Sequence, residues 1–122
     1  MSARPKPTPD LSKRARGQWG EDLAAAYYLR HGYELLDRNW RSPTGELDIV
    51  VAAGDVVVFS EVKARRTADF GPAAAAVTVA KQRRIRQLAV EWLRAHEMSA
   101  TRIRFDVVAI TGTDLVLIED AF

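Results

Sequence analysis

The chain contains no cysteine, which excludes a disulfide framework and any cysteine-ligated zinc site. Such a composition suits a reducing cytoplasm. No apolar run approaches the roughly 18–20 residues of a membrane span, and the first residues are polar and proline-rich rather than of signal-peptide type. A cytoplasmic location is therefore expected, with neither secretion nor membrane insertion. There is no glycine-rich phosphate loop, and nothing marks a Ser-His-Asp arrangement. Histidine is scarce: His31 and His96 fall at expected helix ends, without metal-ligand spacing, where they read as C-terminal charges. Trp19, Trp40 and Trp92 are better explained as core or core-edge residues than as a base-stacking platform.

What is present is 122 residues, 48% hydrophobic and 28% charged, enough for one globular domain with a single core. A net charge of +2 conceals an uneven distribution. Residues 1–17 carry +4, residues 18–62 carry −5, residues 63–104 carry +7 and the last stretch −4. An acidic patch beside a strongly basic segment is what a metal-dependent enzyme acting on a polyanion needs. Solvated charge is the plainer account of the tail taken alone.

Residues 1–17 show no apolar periodicity and read as a disordered basic tail, with the folded domain over 18–122. From about Gln18 to His31 the spacing of Trp19, Leu23, Ala26 and Tyr27 predicts a helix, stopped by Gly32. Strands are expected over Tyr33–Arg41, Glu46–Ala53 and Val56–Ala64, then a loop with Asp69, Gly71 and Pro72. Thr78 is placed to cap a helix of about Val79–His96, whose stripe Ile85, Leu88, Ala89, Trp92 and Leu93 is apolar. Arg102–Ile110 and Leu115–Ile118 complete the strands. A helix between the third and fourth strands permits a parallel crossover, so the fold class is α/β, with a mixed sheet of about five strands flanked by helices.

The second and third strands flank Gly54-Asp55, a dipeptide suited to a tight hairpin. A two-residue loop pairs Val51 with Val58 and Ile49 with Ser60, and sets Asp48 opposite Glu61 and Glu46 opposite Lys63. Glu46, Asp48, Glu61 and Lys63 then share one face, with Leu47, Ile49 and Val51 on the other. Facing carboxylates destabilise a sheet unless a cation lies between them. Two acids and a lysine on one patch point to a divalent metal and a phosphate.

Phosphodiester cleavage needs a water nucleophile and relief of charge on phosphate and leaving oxygen, much of which Mg²⁺ supplies while using one or two protein carboxylates. Asp48 and Glu61 are the expected ligands, with the Val62 carbonyl as a neutral one. Lys63 is expected to orient the water or stabilise phosphoryl charge. Glu46 and Glu21 are further candidates; Glu46 alternatively pairs with Lys63, and Glu21 alternatively serves as a helix-terminal acid. Lys81, Gln82, Arg83, Arg84 and Arg86 open the second helix, where backbone N–H groups add to the attraction for phosphate. Arg65 and Arg66 follow Lys63 and are placed to hold flanking nucleic-acid backbone. Asp106 is an unexplained charge in the apolar run Phe105-Asp106-Val107-Val108; holding an arginine of the second helix and closing the site are both open.

At these residues the chain resembles the restriction-endonuclease-like nucleases of PD-(D/E)xK type, and within them the small bacterial YraN-like (UPF0102-type) family. The matching segments are Gly20-Glu21, Arg38-Asn39-Trp40-Arg41, Gly45-Glu46-Leu47-Asp48, Glu61-Val62-Lys63 with Arg65, and Arg104-Phe105-Asp106-Val107-Val108. They run in family order over roughly residues 16–110. The resemblance implies a restriction-endonuclease-like core, with Asp48, Glu61 and Lys63 as the catalytic set. It also implies Glu21 as the helical acid of the Holliday-junction-resolvase branch, and Lys81 or Gln82 as polar groups on the following helix. Leu47 departs from the proline of the motif's name, at its most variable position.

The expected activity is a Mg²⁺- or Mn²⁺-dependent endonuclease acting on nucleic acid, DNA ahead of RNA, with branched or damaged DNA among the candidate substrates. The rival is a nucleic-acid-binding adaptor of the same fold with little or no cleavage. Two symmetric cuts would call for a homodimer, although no interface is identifiable in the sequence.

Overall fold

A computed structural model describes residues 9–65, 77–100 and 102–122. Helix α1 (Pro9–Arg30) leads into strands β1 (Glu34–Ser42), β2 (Gly45–Ala53) and β3 (Val56–Arg65). Helix α2 (Val79–Ala95) follows, then β4 (Arg102–Thr111) and β5 (Asp114–Ile118). The strands form one sheet in chain order. All neighbours are antiparallel except β3 and β4, which run parallel across the α2 crossover. This is the mixed α/β arrangement expected of a restriction-endonuclease-like core.

Each face of the sheet carries one helix. Tyr28, Ala24 and Ala25 of α1 pack with Ile49, Val51, Val56, Val58, Val108 and Ile110. Ile85, Leu88, Ala89 and Trp92 of α2 pack with Leu47, Val50, Val57, Phe59 and Val107. Consecutive residues over 49–51 of β2 and 56–59 of β3 thus alternate between the two cores, which is why these stretches read as continuous apolar runs. Helix α2 follows its expectation: Thr78 accepts the Lys81 N–H at 3.2 Å, and the apolar stripe is the buried one.

Helix α1 departs from it in two ways. It begins at Pro9, well before Gln18, because Leu11 to Arg16 is rich in helix formers and proline is tolerated in a first turn. Residues 9–17 are therefore helical, and residues 1–8 of the expected tail lie outside those described. The buried face also differs. Trp19 is 43% exposed, whereas Gly20, Ala24 and Tyr28, spaced one turn apart, face the sheet. Small residues win here because the helix lies close: a Cβ on Gly20 would stand 2.9 Å from that of Ala64. Of the other tryptophans, Trp92 is core and Trp40 lies at its edge.

Asp106 neither holds an arginine of α2 nor joins the acidic cluster described below. It is fully buried and pairs in bidentate fashion with Arg104 of its own strand, at 2.8 and 2.9 Å. The Tyr28 hydroxyl and the Asp120 N–H also donate to it. Burial pushes the Tyr28 phenol well above its ordinary pKa, and the hydrogen bonds to Asp106 hold the Arg104 guanidinium above its own. The network ties α1, β3 and β4 together beneath the sheet, since Tyr28 also contacts Ser60 Oγ at 2.9 Å. Asp106→Ala would take from the half-buried Arg104 guanidinium its bidentate partner, leaving it the Tyr33 hydroxyl at 2.9 Å and Glu119 at 3.9 Å. A loss of about 3 kcal/mol is expected in chemical denaturation, with Asp106→Asn intermediate.

Candidate active site where the hairpin strands part

The β2–β3 ladder has the expected register, Ala53 to Val56 through Ile49 to Ser60, about the loop whose Gly54 has φ of 58°. There it stops. Strand β2 continues along β1, through Trp40–Leu47 and Arg41–Glu46, while β3 continues along β4 as far as Arg65–Thr111. The two strands therefore part, and the carboxylate of Asp48 fills the junction. Its Oδ2 accepts the Val62 N–H at 2.9 Å, in place of a main-chain carbonyl.

Alternation along β2 fails at the same point. Leu47 packs under α2 and Ile49 under α1, although alternation would put them on one face as expected from sequence. The cause lies in β1, where Asn39, between the pairs Arg38–Ile49 and Trp40–Leu47, has a left-handed φ of 53°. Asparagine tolerates that conformation better than most residues. Asp48, between Leu47 and Ile49, reaches across to β3, where it accepts the Val62 N–H.

Three elements converge on it. Helix α1 contributes Glu21, next to the close-packed Gly20, and the start of β2 contributes Glu46. One carboxylate oxygen from each of Glu21, Glu46 and Asp48 lies within 4.8 Å of the others. Glu61, on β3, is 8% exposed and near enough to act on Asp48, but its Oε1 is held by Lys81 Nζ of α2 at 2.6 Å. Glu46 pairs with Arg41 at 3.1 Å rather than with Lys63, and Glu21 lies 3.6 Å from Arg38. Asp48 has no ion-pair partner among the described residues.

The electrostatics follow from this layout. Burial, then the charge of Glu61, push the Asp48 carboxyl up to about 7, with Glu21 and Glu46 adding to the rise and the Val62 hydrogen bond opposing it. Burial, and after it the neighbouring Lys81, hold the Lys63 amine below the ordinary lysine value. Burial acts the same way on Lys81, but its hydrogen bond and charge attraction to Glu61 outweigh it and hold that amine above the ordinary value. The result is a deficit of positive charge at Asp48, bounded by hard oxygen donors of the kind that bind Mg²⁺ or Mn²⁺.

The remaining candidates are dispersed. Gln82 donates its side-chain amide to the Val77 carbonyl at 3.1 Å, holding the entry to α2. Arg83 and Arg84 are exposed, and the stem of Arg84 runs against Gly45 in the β1–β2 turn. Arg86 lies over the rings of Phe105 and Phe122, 5.4 and 5.6 Å from their centroids. Arg65 ends β3, two residues beyond Lys63. Arg66 and the loop with Asp69, Gly71 and Pro72 lie outside the described residues. Both histidines sit at helix ends, with Nδ1 2.7 Å from the Tyr27 carbonyl for His31 and 2.8 Å from that of Trp92 for His96.

Reading the sequence missed the parts that brace the site. Glu91 of α2 accepts the hydroxyls of Ser42 and Thr44, each at 2.6 Å, and so staples the β1–β2 turn to the helix. Arg38 and Arg41 were visible only as part of a matching segment, because their acidic partners are distant in the chain or across a turn.

Comparison with known proteins places this geometry in a family. The model described as "Uncharacterised protein family UPF0102" matches residues 20–110. The chain belongs to that family. A UPF0102 protein of Rhodococcus opacus is 58% identical over 96 residues, covering 79% of this chain and 81% of the relative. UPF0102 proteins of Geobacter sulfurreducens and Frankia casuarinae are 52% and 47% identical, covering 78% and 82% of this chain and 74% and 85% of theirs. The UPF0102 match opens at Gly20 and closes at Ile110, so it encloses Glu21, Glu46, Asp48, Glu61, Lys63 and Lys81. No helix among the described residues is long and apolar enough to cross a membrane.

A folded-state pKa of about 7 against an ordinary 3.8 makes Asp48 a stability group of reversed sign for a carboxylate. The folded chain keeps a proton that the unfolded chain releases, so this stabilisation is present at low pH and is lost as pH rises through about 4 to 7. In chelator, Asp48→Asn should melt close to wild type near pH 4 and above it near pH 8, as followed by thermal denaturation.

Proposed function

We propose that this protein is a Mg²⁺- or Mn²⁺-dependent endonuclease that hydrolyses phosphodiester bonds in nucleic acid, with DNA ahead of RNA. The observation that carries the reading is the convergence of Glu21, Glu46 and Asp48 at a break in the hairpin, beside Glu61 and Lys63. A purely structural role does not account for it. Burial, and after it the charge of Glu61, raise Asp48 to about 7, so that ionising it at neutral pH weakens the fold unless a cation joins it.

In this reading Asp48, with Glu21 and Glu46, would hold the cation, with Glu61 close to Asp48. When bound, such a cation polarises the phosphate and lowers the pKa of bound water. Lys63, on the same strand as Glu61 and with its amine held below the usual value, is suited to take a proton from the attacking water or to donate to the phosphoryl oxygens. Arg83 and Arg84 at the start of α2, with Arg65 after Lys63, are the candidates to hold flanking phosphates. Branched or damaged DNA suits the resemblance to junction-cutting nucleases, and a homodimer would supply paired cuts.

The test is a cleavage screen on duplex, nicked, branched and single-stranded DNA and on RNA, with Mg²⁺ or Mn²⁺. Asp48→Asn and Lys63→Met should each lower the rate by about 10²-fold or more. Affinity of Asp48→Asn for a non-cleavable oligonucleotide should be equal or higher, because a charge that repels phosphate is gone. Binding without cleavage across all substrates and both metals would replace this reading with that of an adaptor. Arg83→Ala with Arg84→Ala should weaken binding and flatten its logarithmic salt dependence by roughly one for each phosphate no longer held.

A further inference from the structure

Glu61 is the one acid of the cluster whose cation holds it outside the converging group. Arg38 and Arg41 lie against Glu21 and Glu46, yet both acids still present an oxygen to the trio with Asp48. Glu61 does not. Its Oε1 is taken by Lys81 Nζ at 2.6 Å, the shortest ion pair among the described residues.

The two ends of that lysine are held very differently. Its main chain is fixed: Thr78 Oγ1 accepts the Lys81 N–H at 3.2 Å, and the neighbouring Gln82 anchors Val77. Its side chain is a flexible four-carbon stem, 32% exposed, ending beside a second amine, that of Lys63. Such a side chain can swing without any change in the helix. The position Lys81 occupies on Glu61 is also one that a divalent cation held by Asp48 would contest, since two cations facing one carboxylate repel each other.

We propose that Lys81 is a resident counter-ion that occupies Glu61 until a divalent cation arrives, and is then displaced, so that Glu61 passes from the ammonium to the metal. The inference rests on the metal-dependent reading above and adds a positioning role for a residue that reading does not use. Lys81 keeps Glu61 in place before loading, at the cost of weaker metal binding. It also sets the order of events: the trio of Glu21, Glu46 and Asp48 captures the cation, and Glu61 joins after its lysine leaves.

The experiment is calorimetric titration of Mn²⁺ into the full chain, without nucleic acid, for wild type, Lys81→Met, Lys81→Gln, Lys81→Arg, Glu61→Gln and the Lys81→Met/Glu61→Gln double variant. Lys81→Met and Lys81→Gln should bind Mn²⁺ about tenfold more tightly than wild type, a competition worth about 1.4 kcal/mol. Lys81→Arg, which keeps the charge, should bind like wild type. In the Glu61→Gln background the gain from Lys81→Met should vanish, because there is no carboxylate left to release. Saturable binding that is indifferent to Lys81, or an equal gain in both backgrounds, would overturn this inference and leave the metal site standing. Absence of saturable binding in both wild type and Lys81→Met would overturn the metal site together with it.

Discussion

The hydrogen bond from the Val62 N–H to Asp48 Oδ2 is the contact on which the architecture of the site depends. A strand that leaves its partner exposes main-chain donors, and a buried N–H without an acceptor is costly. Asp48 supplies the acceptor from a side chain, so β2 and β3 part without an orphaned group. The same bond draws a carboxylate into the middle of the sheet, where burial and Glu61 hold its proton. Structural repair of the ladder and placement of a carboxyl of raised pKa are thus one event.

Charge where the strands part is arranged in pairs, with one exception. Glu46 and Glu61 have Arg41 and Lys81, and Glu21 shares Arg38 with Asp22, which lies nearer to it at 2.8 Å, while Asp48 has no ion-pair partner among the described residues. The pairs allow three acids to approach a fourth without ruinous repulsion. They do not neutralise it. What is left is a local demand for positive charge at one atom group, beside an amine, Lys63, whose own charge is disfavoured by burial and by Lys81.

Rigid supports lie on both faces. Beneath α1, the Tyr28–Asp106–Arg104 network fixes the helix that carries Glu21 to the strand beside β3. Beneath α2, Glu91 fixes the turn that leads into Glu46. Neither set of polar residues touches the acidic trio, and both place the elements that do.

The local determinants were legible in the sequence because they act over short distances in the chain. The Gly54-Asp55 turn set the hairpin register as far as Ile49 and Ser60, and Thr78 with the Ile85–Trp92 stripe defined α2 and its buried face. Asp48, Glu61 and Lys63 could be grouped by counting along two strands joined by a tight turn. The counting failed at Leu47, where a left-handed Asn39 on a different strand breaks the alternation. It also misjudged α1, since closeness to Ala64 rather than side-chain hydrophobicity selected the Gly20 face. By itself, then, the sequence determined the elements, their order, the hairpin pairing and the acids available, because propensity, capping and alternation are local. Only the tertiary structure decided that Glu21 and Glu46 meet at Asp48, that Lys81 holds Glu61, and that Asp106 serves Arg104, because charge pairing between distant segments depends on how the helices settle on the sheet.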